Sequence, residues 1–183
     1  SDPIEATDNY TSHKIQIEEY LKASDLPWIV LRVGVSVDAR TLATDKATFK
    51  KLLDVKADNP MEYVHPKDVA LAMCKAASVP EAVGKVLLIG GGSSCQITQR
   101  EFLSTAFNQL GLAFPASLHG QESFYTHWMD TTESQQILQF QQHDFTAYQQ
   151  ELADKLHFLK ILLWPLRWLA NPVLLLALKY IKK

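Results

Sequence analysis

The sequence contains few cysteines and no pattern typical of a metal or redox site. Cys74 and Cys95 stand alone among 183 residues, and neither begins a CxxC motif or a Cys/His cluster. The six histidines show no HxxxH or HExxH spacing, which a helix needs to place two imidazoles on one metal ion. We therefore expect no metal site, and the isolated thiols indicate a reducing, cytoplasmic compartment.

Acidic side chains are absent from the end of the chain. The formal net charge is −2, but no Asp or Glu follows His157, where the basic residues are Lys160, Arg167, Lys179, Lys182 and Lys183. No stripe of Lys and Arg with interleaved aromatic residues runs along the rest of the chain, so the composition argues against nucleic-acid binding. The body is mildly acidic and the C-terminal segment is basic.

The chain also lacks a GxGxxG motif, the turn on which the pyrophosphate of a dinucleotide rests at a helix N-terminus. No signal peptide opens the sequence, and it begins with Ser1 instead of Met. We expect further residues upstream of Ser1.

Helical spacing of apolar residues alternates with short runs rich in β-branched residues. The pattern predicts helices at 9–23, 46–53, 66–77 and 98–110, and strands at 28–35, 61–65 and 85–89. A capping box at Thr98–Glu101 starts one helix, a second box is predicted at 130–133, and the Gln-rich segment 135–150 is predicted to be helical. This alternation indicates an α/β fold whose parallel strands are buried on both faces.

The stretch Tyr10-Thr11-Ser12-His13-Lys14 places a phenol four residues before an ammonium group on the first predicted helix. Side chains at this spacing share one helix face. A neighbouring ammonium stabilises a phenolate, which suits proton transfer, and it can also hydrogen-bond the hydroxyls of a ribose. Spacing alone leaves open a second interpretation, two unrelated surface side chains, because Tyr63-Val64-His65-Pro66-Lys67 has the same spacing.

Four segments, taken in order, resemble the extended and atypical short-chain dehydrogenase/reductases, a family of NAD(P)-dependent epimerases, dehydratases and reductases. They are YTSHKIQIEEYLKASDLPWIVLR, MEYVHPKDVALAM, GKVLLIGGGSSCQITQREF and WMDTTESQQILQF. The resemblance implies that residues 1–155 form the C-terminal part of a doubly wound, Rossmann-like parallel sheet with a small substrate-side region. It places the family's Gly-rich turn upstream of Ser1.

The resemblance also implies roles for individual residues. Tyr10 would exchange a proton with a substrate hydroxyl or carbonyl, Lys14 would bind the nicotinamide ribose, and Val33, Gly34 and Val35 would border the nicotinamide of NAD or NADP. Residues 1–183 alone are expected to bind no dinucleotide. We expect the substrate to be a nucleotide sugar or, as the apolar C-terminal segment suggests, a lipophilic alcohol or ketone, and a homodimer is an open alternative. The competing hypothesis is a non-catalytic binding module, such as an assembly factor or a redox-sensing regulator.

Several other conspicuous residues have a structural interpretation. The turn Gly90-Gly91-Gly92-Ser93-Ser94 is a candidate phosphate loop, but a tight turn after a strand explains it without a ligand. We interpret His65, Asp68 and Trp128 as packing and capping residues.

Residues 156–183 form an apolar, basic segment that we predict to be helical. Its longest uncharged run, Trp168–Leu178, has eleven residues, well short of the ~20 that cross a bilayer. Asn171 and Pro172 are typical of a helix start, which predicts two helices with a break there. Two Trp residues, basic ends and no acids favour an in-plane membrane anchor on a peripheral protein. The alternative is a helix pair that packs on the body or on a second copy.

Overall fold

Helices and strands alternate in residues 9–42 and 46–182, the part of the chain that the structure, a computed structural model, describes. The helices are α1 (Asn9–Lys22), α2 (Lys46–Asp54), α3 (Pro66–Ala76), α4 (Gln99–Gln109), α5 (Thr132–Leu138), α6 (Phe145–Leu163) and α7 (Arg167–Lys182). The strands are β1 (Ile29–Val33), β2 (Pro60–Glu62), β3 (Lys85–Ile89) and β4 (Gln96–Thr98). The predicted α/β class is confirmed.

Strands β1 and β3 form the predicted parallel pair. Ile29 lies opposite Lys85 and Val33 opposite Ile89. β3 is buried at Leu87 and Ile89, but the predicted burial of β1 on both faces is wrong, since its residues are only partly buried and Val33 is 41% exposed. The reason is its position, because no other strand within the described residues pairs with the outer edge of β1.

An antiparallel pair, β2 with β4, was not predicted. Met61 lies opposite Ile97, and the backbone of Tyr63 joins this pair to the segment after β1 through a bridge to Val35. β4 has only three residues, too few for a recognisable alternation of apolar and polar side chains. It separates the glycine-rich turn from α4.

Three hydrophobic clusters hold the helices to the strands and to one another. The first joins Met61 and Tyr63 to Tyr148 and Leu152 of α6. The second packs β3 against α3 and α5, and the third packs Leu53 of α2, Leu103 of α4 and Leu178 of α7 together. Phe102 of α4 packs against both the first and the third cluster. Helix α4 is therefore the element on which both C-terminal helices rest.

The region around the Gln-rich segment differs from its prediction. Gln139 adopts a left-handed conformation with φ 47° and ends α5, and residues 139–144 are not helical. The second capping box is also wrong, because the N-cap is Thr131, which makes no side-chain hydrogen bond to the helix, and the Glu133 carboxylate pairs with Lys85. Asp130 Oδ1 accepts a hydrogen bond from the Thr132 amide. The box at Thr98 and Glu101 is confirmed.

Helices α6 and α7 are joined at a bend and pack on different clusters of the body, with few contacts between the two helices. We call this bent pair the hairpin. A straight helix from Leu152 to Leu178 would be about 39 Å long, yet Phe102 packs against the clusters of both residues. The bend is a 3-10 turn at Trp164–Leu166, which contains Pro165. After it, Asn171 Oδ1 accepts a hydrogen bond from the Ala113 amide at 2.9 Å.

The predicted break at Asn171 and Pro172 is therefore wrong, and Pro172 lies inside α7. Proline removes one helical hydrogen bond, but Leu174, Leu175 and Leu178 pack on the body and hold the helix across that position. The side chain of Asn171 accepts its hydrogen bond from the Ala113 amide and does not cap a helix. Tertiary contacts outweigh the local start pattern.

Residues 157–170, which we call the hairpin tip, present large apolar side chains to solvent. The exposed ones are Phe158, Leu159, Ile161, Leu162, Trp164, Leu166, Trp168 and Leu169. By length and composition alone, the stretch Phe145–Leu178 also qualifies as a membrane-crossing helix. The predicted boundary at residue 156 lies within α6.

Candidate functional site

Helix α1 is fixed to β1 by a charged contact that the sequence pattern placed in solvent. Glu18 is only 7% exposed. Its carboxylate accepts two hydrogen bonds from Arg32 of β1, at 3.1 Å from Nε and 2.7 Å from Nη2, and a third from Lys22 at 2.6 Å. A bidentate Arg–carboxylate pair fixes orientation as well as distance. It sets how α1 presents Tyr10 and Lys14.

We expect Arg32→Met to destabilise the protein by about 2 kcal/mol, because it leaves the buried Glu18 carboxylate without its main partner and Arg32 is itself partly exposed. Urea unfolding measures this loss. Lys22→Met is the matched control, since Lys22 is 42% exposed at its side chain and such a pair contributes less than about 0.5 kcal/mol. Equal losses of unfolding free energy in the two variants would contradict the conclusion that Arg32 is the main partner of Glu18.

The same contact makes stability depend on pH. The hydrogen bonds from Arg32 lower the pKa of Glu18 below its ordinary value of 4.5, against the opposing effect of burial, and Lys22 adds to the lowering. A lowered folded-state pKa means that the stabilisation is fully present above that ordinary value and is lost as the pH falls through the folded-state pKa. In Arg32→Met, the free energy of unfolding should therefore fall less steeply than in wild type as the pH is lowered through the acidic range.

Tyr10 and Lys14 lie one turn apart on the same face of α1, as the spacing predicts. The Lys14 Nζ atom is 5.3 Å from the centre of the Tyr10 ring, within the range of a cation–π contact. Tyr10 is 69% exposed, so its hydroxyl is open to a ligand. Lys14 and Tyr10 together line a groove between α1 and β1.

Tyr10 also lines a cavity of 410 Å³, which we call the Tyr10 cavity. Val33, Gly34 and Val35 line the same cavity, so the structure brings these sequence-predicted site residues together. Lys14 lies in the neighbouring groove. A cavity of this size falls within the range of small-molecule sites.

The cavity has walls that the sequence analysis did not identify. Phe124, Tyr125, Thr126 and His127 form one side. This loop is held by the buried side chain of Asn59, which donates to Thr126 Oγ1 at 3.0 Å and accepts from the Phe124 amide at 2.9 Å. The exposed aromatic residues of the loop were the available signal, but their neighbour Tyr10 is distant in sequence.

Glu62 forms the floor of the Tyr10 cavity and ties three segments together. It is 1% exposed, and its carboxylate accepts hydrogen bonds from the amides of Gly92 at 3.0 Å and Met129 at 2.8 Å and from Gln96 Nε2 at 3.3 Å. These donors compensate for the burial of its charge. We regard Glu62 as a positioning residue for the site.

The glycine-rich turn 90–92 is shaped so that its backbone can approach the Glu62 carboxylate. A Cβ at Gly90 would collide with the Glu62 side chain, and one at Gly91 would collide with Cys95 Sγ. Gly92 has φ +78°, a conformation that favours glycine. The turn donates to a carboxylate of the same chain, which supports its interpretation as a structural turn.

Gly34 is required for packing. A Cβ there would lie 2.7 Å from the carbonyl oxygen of Glu62, and the amides of Gly34 and Val35 donate to Ile89 and Glu62 in the sheet. The small residue lets the strand ends approach and leaves the side chain of Val33 exposed beside Tyr10. Tyr10 and Val33 therefore border both the Tyr10 cavity and the groove that Lys14 lines.

The second Tyr-x-x-x-Lys segment has no such access. Tyr63 is fully buried, its hydroxyl donates to the Val37 carbonyl at 2.9 Å, and burial raises the pKa of its phenol far above the ordinary value. Lys67 pairs with Glu151 at 2.9 Å. Tyr63 is unsuited to proton transfer.

The interpretations of His65 and Asp68 agree with the structure. His65 caps α3 by accepting from the Lys67 amide, and buried Asp68 accepts from the amides of Gln142 and His143. Trp128 is different, because it is 49% exposed and donates to the Ile97 carbonyl at 3.3 Å. In the part of the chain that the structure describes, no group of three or more His, Cys, Asp or Glu side chains could hold a metal ion.

No family model matches the chain, and no curated protein matches it significantly. Solved structures do match. A dTDP-glucose 4,6-dehydratase from Bacillus anthracis, in complex with NAD, has a TM-score of 0.64 and 17% identity over 83% of this chain and 53% of its own. WbmG from Bordetella bronchiseptica, in complex with NAD and UDP, has a TM-score of 0.63 and 18% identity over 87% and 55%.

A third neighbour, a UDP-glucuronic acid 4-epimerase from Bacillus cereus, was solved with UDP-glucuronic acid and NAD. Its TM-score is 0.57 at 15% identity, over 87% of this chain and 58% of its own. The chain thus has the fold of the C-terminal portion of short-chain dehydrogenase/reductase structures, and it spans a little over half the length of these neighbours.

Proposed function

We propose that this chain is the substrate-side part of an NAD(P)-dependent epimerase, dehydratase or oxidoreductase, with Tyr10 as the general acid and base. The observation that carries the proposal is the cavity shared by Tyr10 and Val33–Val35, with Lys14 one turn along the same helix face. The fold neighbours, which are NAD-dependent dehydratases and epimerases, support it.

In this mechanism the Tyr10 hydroxyl moves a proton to or from a substrate oxygen in the Tyr10 cavity. Lys14 would donate hydrogen bonds to ribose hydroxyls in the groove. Val33, Gly34 and Val35 would border a nicotinamide beside Tyr10. A bound nicotinamide supplies hydride transfer at the carbon next to the oxygen that Tyr10 serves.

The nucleotide-binding half of the fold would complete the sheet. β1 has no partner on its outer edge among the described residues, and α1 leaves Ile17 and Tyr20 exposed beside it, at 54% and 78%. An open edge with apolar residues nearby suits pairing with further strands. We propose that residues upstream of Ser1 supply these strands and the Gly-rich turn, and that residues 1–183 alone are inactive.

Lys14→Met should weaken NAD or NADP binding to the full-length protein by about 10- to 100-fold, since charge-assisted hydrogen bonds of roughly 1.5–3 kcal/mol are lost. Isothermal titration with each cofactor measures this. Lys22→Met, two turns further along α1, should leave the affinity unchanged. A full-length protein that binds neither dinucleotide would favour the alternative of a non-catalytic binding module.

We further propose that the protein is peripheral on a membrane, through the hairpin tip. The tip exposes Trp164 at 64% and Trp168 at 69%, and its basic residues Lys160 and Arg167 meet no acid between positions 157 and 170. Trp and basic side chains both favour the lipid headgroup region. An exposed apolar surface of this kind marks an interaction site, and its charge suits anionic lipids on the cytoplasmic face.

A further inference from the structure

A second cavity lies next to the Tyr10 cavity and has a different chemical character. It measures 380 Å³ and is formed by α2, α4, α6 and the segment after β1. All of its lining residues except Thr48 are aliphatic or aromatic. We call it the apolar cavity. An apolar concavity of this size falls within the range of small-molecule sites.

The apolar cavity lies between two hydrophobic clusters. Val37 and Tyr148 belong to the cluster around Tyr63, whereas Phe49 and Phe107 pack in the cluster that Leu178 of α7 completes. The returning helix of the hairpin therefore packs directly behind one wall of the cavity. The cavity therefore lies close to the part of α7 that packs on the body.

Val35 is the lining residue that the two cavities share, so their walls adjoin at this position. Tyr148, which also lines the apolar cavity, is 5% exposed, and burial raises the pKa of its phenol to about 12. It remains neutral and adds an uncharged aromatic surface.

The charges around the two cavities argue against a pyrophosphate in them. Among the residues that the structure describes, neither cavity is lined by Lys or Arg, and the carboxylate that does line one of them, Glu62, is held by three donors of the protein. An anionic phosphate desolvated here would meet a carboxylate and no cation. An uncharged apolar chain would meet matching surfaces.

We infer that the apolar cavity binds the aliphatic chain of a membrane-borne alcohol or ketone and directs its oxygen-bearing end past Val35 to Tyr10. The orientation rests on the proposed function, but binding of the chain itself requires neither Tyr10 nor a dinucleotide. The substrate class is thereby an uncharged lipid and not a nucleotide sugar. A substrate of this kind reaches the cavity from the bilayer in which the hairpin tip is embedded.

The test uses straight-chain alcohols from octanol to hexadecanol, titrated into residues 1–183 by calorimetry. Affinity should rise with chain length and then level off where the cavity is filled. Ala106→Phe narrows the cavity and should lower the affinity for the best alcohol by about tenfold or more, whereas Phe49→Ala should shift the optimum to longer alcohols. Asn108→Phe, an exposed position on the same helix, is the matched control. Circular dichroism verifies that each variant is folded.

Absence of saturable binding, or the same length preference in Ala106→Phe, Phe49→Ala and wild type, would overturn the assignment. Sedimentation at each titration point tests whether a second copy of the chain covers the cavity. If added alcohol dissociates a dimer, the cavity belongs to an interface between copies. Binding that is retained in Tyr10→Phe separates the two proposals, because the cavity assignment then stands whatever becomes of the catalytic role.

Discussion

Tyr10→Phe should reduce turnover of the full-length protein by about 100- to 10,000-fold, the usual contribution of a positioned general acid or base. The substitution removes one hydroxyl from a side chain that is 69% exposed, so neither packing nor a buried hydrogen bond is lost. Affinity for NAD or NADP should stay within about twofold, because the ring and the adjacent Lys14 remain. Steady-state kinetics and cofactor titration on the same preparation measure both quantities.

Tyr20→Phe is the control for this prediction. Tyr20 lies on the same helix and is 78% exposed, and it does not line the Tyr10 cavity. Its substitution should leave turnover unchanged. If Tyr10→Phe also retains full turnover, Tyr10 is not the proton-transfer group; if no turnover is found with any alcohol, ketone or nucleotide sugar, the binding-module hypothesis is favoured.

The elements that the sequence predicted correctly are those specified by local chemistry. β3 is a run of apolar and β-branched residues, and α4 begins at a capping box that the structure reproduces. α3 begins at Pro66 after a cap from His65. In each case the stabilising contact lies within a few residues of the pattern, so the pattern contains the information.

The features that were missed depend on residues far apart in the chain. The burial of Glu18 has no local pattern, because its main partner, Arg32, lies on β1. Glu62 has no local pattern, since its donors come from Gly92, Gln96 and Met129. The bend at Trp164–Leu166, and not at Pro172, is set by where α7 packs on α2 and α4.

The candidate site also contains residues that a local pattern identified and residues that only the three-dimensional structure brings together. Tyr10, Lys14 and Val33–Val35 were found through a helix spacing and a resemblance, and the structure places Tyr10 and Val33–Val35 on one cavity with Lys14 beside it. Their catalytic and cofactor roles stay predictions. The loop Phe124–His127 and the apolar cavity needed the three-dimensional structure, because their walls come from several separate helices and loops.

A double substitution in the hairpin tip, Leu162→Glu with Trp168→Glu, should abolish flotation of the protein with liposomes. Both side chains are exposed, at 57% and 69%, so the change leaves the body intact. Burial of each large apolar side chain is worth about 1.5–3 kcal/mol, and the lost pair therefore corresponds to a roughly 100-fold or greater decrease in partitioning. Vesicles containing anionic phosphatidylglycerol should bind wild type better than neutral ones, and salt should weaken this difference.

Leu26→Glu with Met73→Glu is the matched control, because both positions are exposed, at 68% and 60%, but lie on the body. This variant should float like wild type. Failure of wild type to float, or equal flotation of both double variants, would contradict the membrane proposal. Sedimentation distinguishes the remaining arrangement: a dimer that only the Leu162 and Trp168 variant dissociates would show that a second copy covers the tip. In that case Trp164 and Trp168 would be buried at a protein interface, and their fluorescence would shift on dilution of the protein but not on addition of lipid.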